Sequence, residues 1–303
     1  MTAGRRSPLH RARVLGYRVR RRLRGGTSNW EAATWRAMER RWRAVDRRLA
    51  RAGGPAAPAA CPLCGSPGPG FVVRTDRCRF RGGRLTRHRC PDCGVVFGPQ
   101  KMLDLTPEEL DAEYRELYSV YREGATEYSV LWTFSLLDPR PSGRYLDFGC
   151  GPDPAPLRVL QSLGLDVGGF DPVAAPGDPL VTSDWDALEE QRFDGIITHN
   201  VLEHLVDPVA TTRHLAGLLT PGGRLIHATE CFDEVITDTR FHLFFFTGRS
   251  PAVLAERAGL RIVGMERGPT TAYTFAAPAP GDHAADRVHG VDGVHGVVAS
   301  RDI

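Results

Sequence analysis

Four cysteines fall in two pairs, Cys61-Pro62-Leu63-Cys64-Gly65 and Cys90-Pro91-Asp92-Cys93-Gly94. A C-x2-C step lets two thiolates bite one ion, and the glycine that follows permits the tight turn that aims backbone amides at the sulfurs. Two such turns make a closed tetrahedral site of Cys61, Cys64, Cys90 and Cys93, the donor set of structural zinc. Cys78 and His88 lie between the pairs and could substitute as ligands; the plain alternative is a metal-free loop of reduced thiols. The chain has seven Cys and no export signal, so metal ligation accounts for the pairs better than disulfides do.

A second constellation is Tyr145-Leu146-Asp147-Phe148-Gly149-Cys150-Gly151-Pro152, an apolar strand running into a glycine turn ahead of a helix. The glycines let backbone approach a ligand closely. Twenty residues after Gly151, a second apolar run ends at Asp171, whose carboxylate can accept from both hydroxyls of a ribose. A nicotinamide dinucleotide would satisfy this much. The third glycine of its fingerprint is missing, however, with Pro154 in that place. Asp147 and Asp153 flank the loop, and no Arg or Lys occurs from Tyr145 to Leu157, so a pyrophosphate would meet two carboxylates. S-adenosylmethionine carries an ammonium and a sulfonium, which suit acidic surroundings.

These groups need a scaffold. From Arg144 onward, short apolar runs alternate with helical stretches, the signature of a parallel α/β sheet. Strands are expected at Arg144–Phe148, Asp166–Phe170, Leu180–Thr182, Gly195–Thr198 and Arg224–Ala228, then at Leu260–Met265 and Ala272–Phe275. Residues 106–137 look helical, with Thr106 as N-cap and Pro107 in the first helical position. Further back, Trp35, Met38, Trp42, Val45 and Leu49 step by three and four along one helical stripe, which packs on the chain's own core or on a second subunit. The opposite face is Arg. Residues 1–52 hold sixteen Arg against Glu31, Glu39 and Asp46, so a total net charge of +3 conceals a basic arm of about +13 on an acidic body. Such an arm is a solvated segment or meets an anionic partner: nucleic acid, a membrane surface, or the protein's own acidic face. The division expected is 1–60 basic, partly helical arm and linker; 61–100 zinc ribbon; 101–278 the α/β domain; 279–303 a disordered tail rich in Ala, Pro, Gly and His. No run approaches the roughly 20 apolar residues of a membrane span, and no secretory h-region opens the chain, which gives a cytoplasmic expectation.

Residues 105–278 resemble the class I S-adenosylmethionine-dependent methyltransferases. The resemblance rests on the LDFGCG loop, the GFDP strand end, FDGIITHNVLEHLVDP (Phe193–Pro208), LTPGGRLIHATE (Leu219–Glu230), DTRFHLFFFT (Asp238–Thr247) and AERAGLRIVG (Ala255–Gly264). With the preceding CxxC pairs it is similar to a bacterial subgroup bearing an N-terminal zinc ribbon, some of whose members modify sugars in natural-product or surface-glycan pathways. The resemblance implies a Rossmann-like, seven-stranded sheet with its last strand antiparallel. It places Gly149 and Gly151 against the methionine part of the cofactor, Asp171 on the ribose, Asp184 or Trp185 near the adenine, and Asn200 at the methionyl end. Tyr118 and Tyr121 would lie on a helix closing over the site. Pro152-Asp153-Pro154 departs from the small, flexible residues usual in the family at this place.

Methyl transfer is an in-line displacement at a sulfonium carbon; the protein positions the acceptor and takes its proton where one must leave. Glu203-His204, after the fourth strand, offers a base, against the reading of a structural pair opening a helix. His242 stands among Phe241–Phe246, in the segment that forms the acceptor wall in the family. The leading expectation is therefore methyl transfer to a small molecule, a sugar or natural-product intermediate. An RNA methyltransferase gripping phosphates with its ribbon and Arg-rich arm is the second reading, and a non-catalytic cofactor-binding protein the third.

Overall fold

The computed structural model describes residues 29–121, 126–151, 154–172, 178–233, 235–236 and 238–278. The expectations placed on 1–28, on Pro152 and Asp153, and on the tail 279–303 lie outside them.

The Trp/Met stripe forms helix α1, Asn29–Arg51, with no Gly or Pro inside it. It ends at Gly53 and Gly54, both at positive φ, where the Gly54 amide returns to the Leu49 carbonyl at 2.9 Å. Met38 and Trp42 are buried within this same chain, against Arg240, Glu113 and Lys101. Of the two packings expected for the stripe, Met38 and Trp42 take the protein's own core. Arg41 on this helix pairs with Glu113 and Glu116, so among the described residues part of the basic segment meets the protein's own acidic face.

The cysteine unit contributes β1 (Val72–Arg77), β2 (Arg84–Arg89) and β3 (Val96–Phe97), antiparallel in that order. Its sheet does not stop there. A two-residue strand from far down the chain, Phe244–Phe245, pairs with β3 through Val96↔Phe245 and Phe97↔Phe244. Residues 61–100 therefore share a sheet and a core with the body: Leu63, Val95, Phe97, Trp42, Leu117, Phe241, Phe244 and Phe246 sit in one apolar cluster.

A short helix α2, Gln100–Leu103, leads to α3, Pro107–Val120. Thr106 and Glu109 close a reciprocal capping box, as the Thr-Pro start signal requires. The stretch 106–137, expected to be helical, holds α3 and α4: α3 stops before Tyr121, whose φ of −129° and ψ of 136° are extended, and α4 spans Glu127–Ser135.

The main sheet is built from β4 (Arg144–Phe148), β5 (Asp166–Phe170), β6 (Val181–Thr182), β7 (Phe193–His199), β8 (Leu219–Thr229), β10 (Arg261–Arg267) and β11 (Thr271–Ala276), β9 being Phe244–Phe245. Its order is β10-β11-β8-β7-β4-β5-β6. Pairings β6-β5-β4-β7-β8 are parallel, and β11 runs antiparallel to both neighbours. Alternation along each strand feeds two cores. Leu146, Phe148, Ile196 and Leu225 face the side of α7 (Pro208–Gly217) and α8 (Ser250–Arg257), while Tyr145, Val167, Ile197 and Ile226 face α4 and α5 (Ala155–Ser162). The strand order reverses at β4, between β5 and β7. Open α/β sheets place ligands outside the carboxyl ends of the strands at such a switch point, here Gly149–Gly151 and Asn200. No helix among the described residues is long and apolar enough to cross a membrane.

Candidate functional site

At the carboxyl end of β4 the chain turns through Gly149 (φ +77°) and Gly151 (φ +75°), a region that favours glycine. The Gly149 amide donates to the Phe170 carbonyl at 2.7 Å, so the turn is hung on β5. A Cβ on Gly149 would lie 2.4 Å from Cγ2 of Val201, whereas one on Gly151 would meet nothing within 4 Å. Gly149 is thus needed for packing, and Gly151 presents bare backbone to open space. Asp171 ends β5 and receives the Gly151 amide on Oδ2 at 2.9 Å. Asp147, one residue before the last of β4, is 2% exposed. Burial first, and then the charge of Asp171, lifts its carboxyl to about 7. Asn200 follows β7 at φ +54°, its amide held by the Ala228 carbonyl at 2.8 Å.

Asp147, Gly149, Gly151, Asp171 and Asn200 therefore gather at one sheet edge. Asp184 and Trp185 do other work as well. Asp184 accepts from the amides of Asp186 and Ala187 and so caps the short helix α6, Asp186–Glu189. Trp185 packs edge-on against Phe148 and Phe170 and lies 4.5 Å from the His214 ring. Tyr121 turns its ring to Phe80 of the cysteine unit, 5.0 Å away, and Tyr118 stacks on Tyr114.

A second group forms where the turn Leu202–His204 meets the segment before β9. The Leu243 amide donates to the Glu203 carbonyl at 2.6 Å, pinning one to the other. Glu203 is 1% exposed, and its Oε1 receives the Thr229 hydroxyl at 2.6 Å. His204 Nδ1 lies 2.9 Å from the Phe241 carbonyl and 2.9 Å from the Tyr114 hydroxyl. The carbonyl can only accept, so a bond to it uses a proton on Nδ1, while the Tyr114 hydroxyl can donate to or accept from that same nitrogen. His242 stands 4.9 Å from His204, ring to ring, with Nδ1 3.4 Å from Cys231 Sγ. Burial, then the neighbouring His204, Arg87 and Arg79, hold His242 well below the ordinary histidine range. One donor atom from each of Glu203, His204 and His242 lies within 4.8 Å of the others. Buried Arg87 donates to the His242 carbonyl at 2.7 Å and to the carbonyls of Gly98 and Thr239. The sequence reading missed Tyr114, although it precedes Tyr118 by four residues on one helical face, which was a usable signal. Arg87 and Arg240 carried none.

The four paired cysteines also converge. Their sulfurs lie within 4.8 Å of one another, with Cys61···Cys93 at 3.8 Å and Cys64···Cys90 at 3.6 Å. A tetrahedron with bonds of about 2.3 Å has edges of about 3.8 Å, so the donor set fits zinc. Gly65 and Gly94 sit at φ +80° and +83°, their amides returning to Cys61 and Cys90. The Cys93 thiol, followed by the amides of Leu63 and Cys64, brings Cys61 down to about 5, and its proximity pushes Cys93 up. Without a cation, the set cannot hold four thiolates. Cys78 and His88 are not in this cluster.

Residues 121–264 match the profile of a family described as a methyltransferase domain. No curated protein matches the chain. Among solved structures, it is similar to the Burkholderia thailandensis 1,6-didemethyltoxoflavin-N1-methyltransferase with bound 1,6-didemethyltoxoflavin and S-adenosylhomocysteine, at 17% identity and a TM-score of 0.47 over 64% of this chain and 96% of that one. It is also similar to CalO1, a methyltransferase in calicheamicin biosynthesis, at 16% identity and a TM-score of 0.43 over 57% of this chain and 59% of that one. A third is the CcbJ methyltransferase from Streptomyces caelestis, at 14% identity and a TM-score of 0.40 over 54% of this chain and 96% of that one.

Proposed function

We infer that this chain, an S-adenosylmethionine-dependent methyltransferase, delivers its methyl group to a small-molecule acceptor held against Glu203, His204 and His242. The observation that carries this reading is the position of that cluster. It begins three residues past Asn200, at the carboxyl end of the strand beside the glycine loop. Tyr114 and Phe241 wall it, with ring centroids 5.0 Å apart. The aromatic faces of Tyr114 and Phe241 suit an uncharged ring, and a sugar or natural-product intermediate is the class we assign. The buried cations beside this wall are committed elsewhere, Arg87 to backbone carbonyls and Arg240 to Glu113, which supports an acceptor without a phosphate at this point.

S-adenosylmethionine supplies the electrophilic methyl carbon and a neutral sulfur leaving group. Gly149 and Gly151 let backbone reach its methionine part, Asp171 holds the ribose, and Asp147 and Asn200 serve the cationic end. We keep Tyr118 as a closing side chain through its stack on Tyr114, and Trp185 or Asp184 as adenine neighbours. Structural zinc on Cys61, Cys64, Cys90 and Cys93 would hold the β3–β9 wall in place. Thr247 Oγ1, two residues past that wall, donates to the Gly94 carbonyl at 2.6 Å, joining it to the second cysteine turn.

The test is His204→Ala. Loss of an acid–base or acceptor-orienting group lowers kcat about 10²–10⁴-fold, while S-adenosylmethionine affinity stays within about threefold. S-adenosylhomocysteine release with a small-molecule acceptor reads the first and calorimetry the second. An unchanged kcat would remove the cluster from the reaction.

The pH dependence of cofactor binding follows from Asp147. Its carboxyl titrates near 7 in the free protein, and a cationic cofactor beside it favours the ionised form, so binding below that pH expels a proton. Affinity is expected to tighten with rising pH by up to about tenfold per unit and to level off above 7. Calorimetry in buffers of different ionisation enthalpy counts the proton. A Kd flat with pH in the wild type would separate Asp147 from the cofactor.

A further inference from the structure

We propose that Glu203, His204 and His242 form a divalent-cation site, and that the cation takes the acceptor's hydroxyl as a further ligand. This rests on the reading of that cluster as the acceptor side. Two imidazoles and a carboxylate converge, one donor atom from each within 4.8 Å of the others. Around an ion with bonds of about 2.1 Å, neighbouring donors stand about 3.0–3.4 Å apart, so small side-chain rotations complete the shell.

The surroundings have the form that metal ligands have. Ligating histidines have their second nitrogen held by an outer partner, and ligating carboxylates are themselves hydrogen-bonded. Here His204 Nδ1 lies 2.9 Å from the Phe241 carbonyl, His242 Nδ1 faces Cys231 Sγ, and Glu203 Oε1 receives the Thr229 hydroxyl. With Nδ1 engaged there, Nε2 is the ring nitrogen that His204 would offer an ion. The contrast with the cysteine cluster is chemical. Four thiolates close a structural site, whereas three protein ligands leave positions open for substrate. Two nitrogens and one oxygen suit Zn, Mn, Fe(II), Co or Ni rather than Mg or Ca.

Coordination lowers the pKa of a bound hydroxyl as it does that of bound water. The acceptor's O–H bond breaks and its proton passes to solvent. The oxygen lone pair forms a bond to the methyl carbon, the C–S bond breaks, and its electron pair stays on sulfur. The neutral ether product is a weaker ligand than the alkoxide and leaves. No oxidant or reductant takes part.

The experiment is metal stoichiometry on the full chain, titrated with Co(II) or Mn(II). Two ions per chain are expected, one in the thiolate site and one removed by mild chelation. The second Co(II) would show weak nitrogen/oxygen-type absorption without thiolate charge transfer. Glu203→Gln and His242→Gln should keep the first ion and lose the second. Thr229→Val, which removes an outer partner, should weaken the second about 10–100-fold. One ion per chain at saturating metal, or a second that survives in both Gln variants, overturns the site. Methylation unaffected by removing the second ion overturns its role while leaving the acceptor reading intact. Two ions in a chain that binds no S-adenosylmethionine would instead sink that reading.

Discussion

Asp171→Ala is expected to weaken S-adenosylmethionine binding by about 10²–10⁴-fold. The carboxylate is 8% exposed and sits at the end of β5, directly beside the bare backbone of Gly151, whose amide it receives at 2.9 Å. In the proposed pose it also accepts from two ribose hydroxyls. Hydrogen bonds to a charged group contribute about 1.5–3 kcal/mol each, so losing two removes about 3–6 kcal/mol, and the loop loses one of its ties to β5, keeping the Gly149 amide on the Phe170 carbonyl. Asp171→Asn keeps an acceptor without the charge and should fall between. The same substitution acts on Asp147: removing the charge that helps raise its carboxyl moves the pH dependence of binding to lower pH. Calorimetry reads both. A Kd within threefold of wild type would take the ribose away from this residue.

Glu113→Ala should be the most destabilising single change, by about 3–5 kcal/mol. Arg240 is 0% exposed and places Nε and Nη2 3.1 and 2.8 Å from Glu113 Oε2. The same oxygen receives the Trp42 indole at 3.1 Å, and Arg41 reaches the other. The guanidinium lies 4.2 Å from the Phe241 ring and donates to the Phe80 carbonyl. One ion pair thus ties α1, α3, the β1–β2 hairpin and the segment before β9. Removing the acid leaves a guanidinium buried without its counter-charge, which costs about 3–5 kcal/mol. Replacing both partners with leucine removes charge and cost together, so Glu113→Leu/Arg240→Leu should lose far less than the single changes sum to. Urea unfolding of the wild type, Glu113→Leu, Arg240→Leu and the double variant checks this. Additive losses would mean that the pair is not coupled.

What was legible in the sequence was what local pattern dictates. β4 and β5 have the expected bounds because an apolar run ends in a glycine or an aspartate that cannot continue it. The capping box of α3 was written in Thr106-Pro107-Glu108-Glu109. The α1 stripe was visible too, but not its partner, because Arg240 and Glu113 lie far away in the chain and look like surface charges until buried together. β9 escaped for a similar reason: two phenylalanines make a strand only because β3 is there to receive them. Within the proposed site, spacing from the glycine loop singled out Asp171, and the family resemblance singled out Glu203, His204 and His242, but neither gave side-chain direction. Tyr118 lies in the last turn of α3 and Tyr121 just past its end, in extended backbone, and the two diverge, Tyr121 to Phe80 and Tyr118 to Tyr114.

The most direct measurement gives the purified protein S-adenosylmethionine labelled in the methyl group, together with a small-molecule extract and, separately, RNA. The account predicts label in a low-mass, nuclease-resistant product, with formation lost in Asp171→Ala and His204→Ala. Label in nuclease-sensitive RNA, or a product whose yield the His204 substitution leaves unchanged, would contradict it.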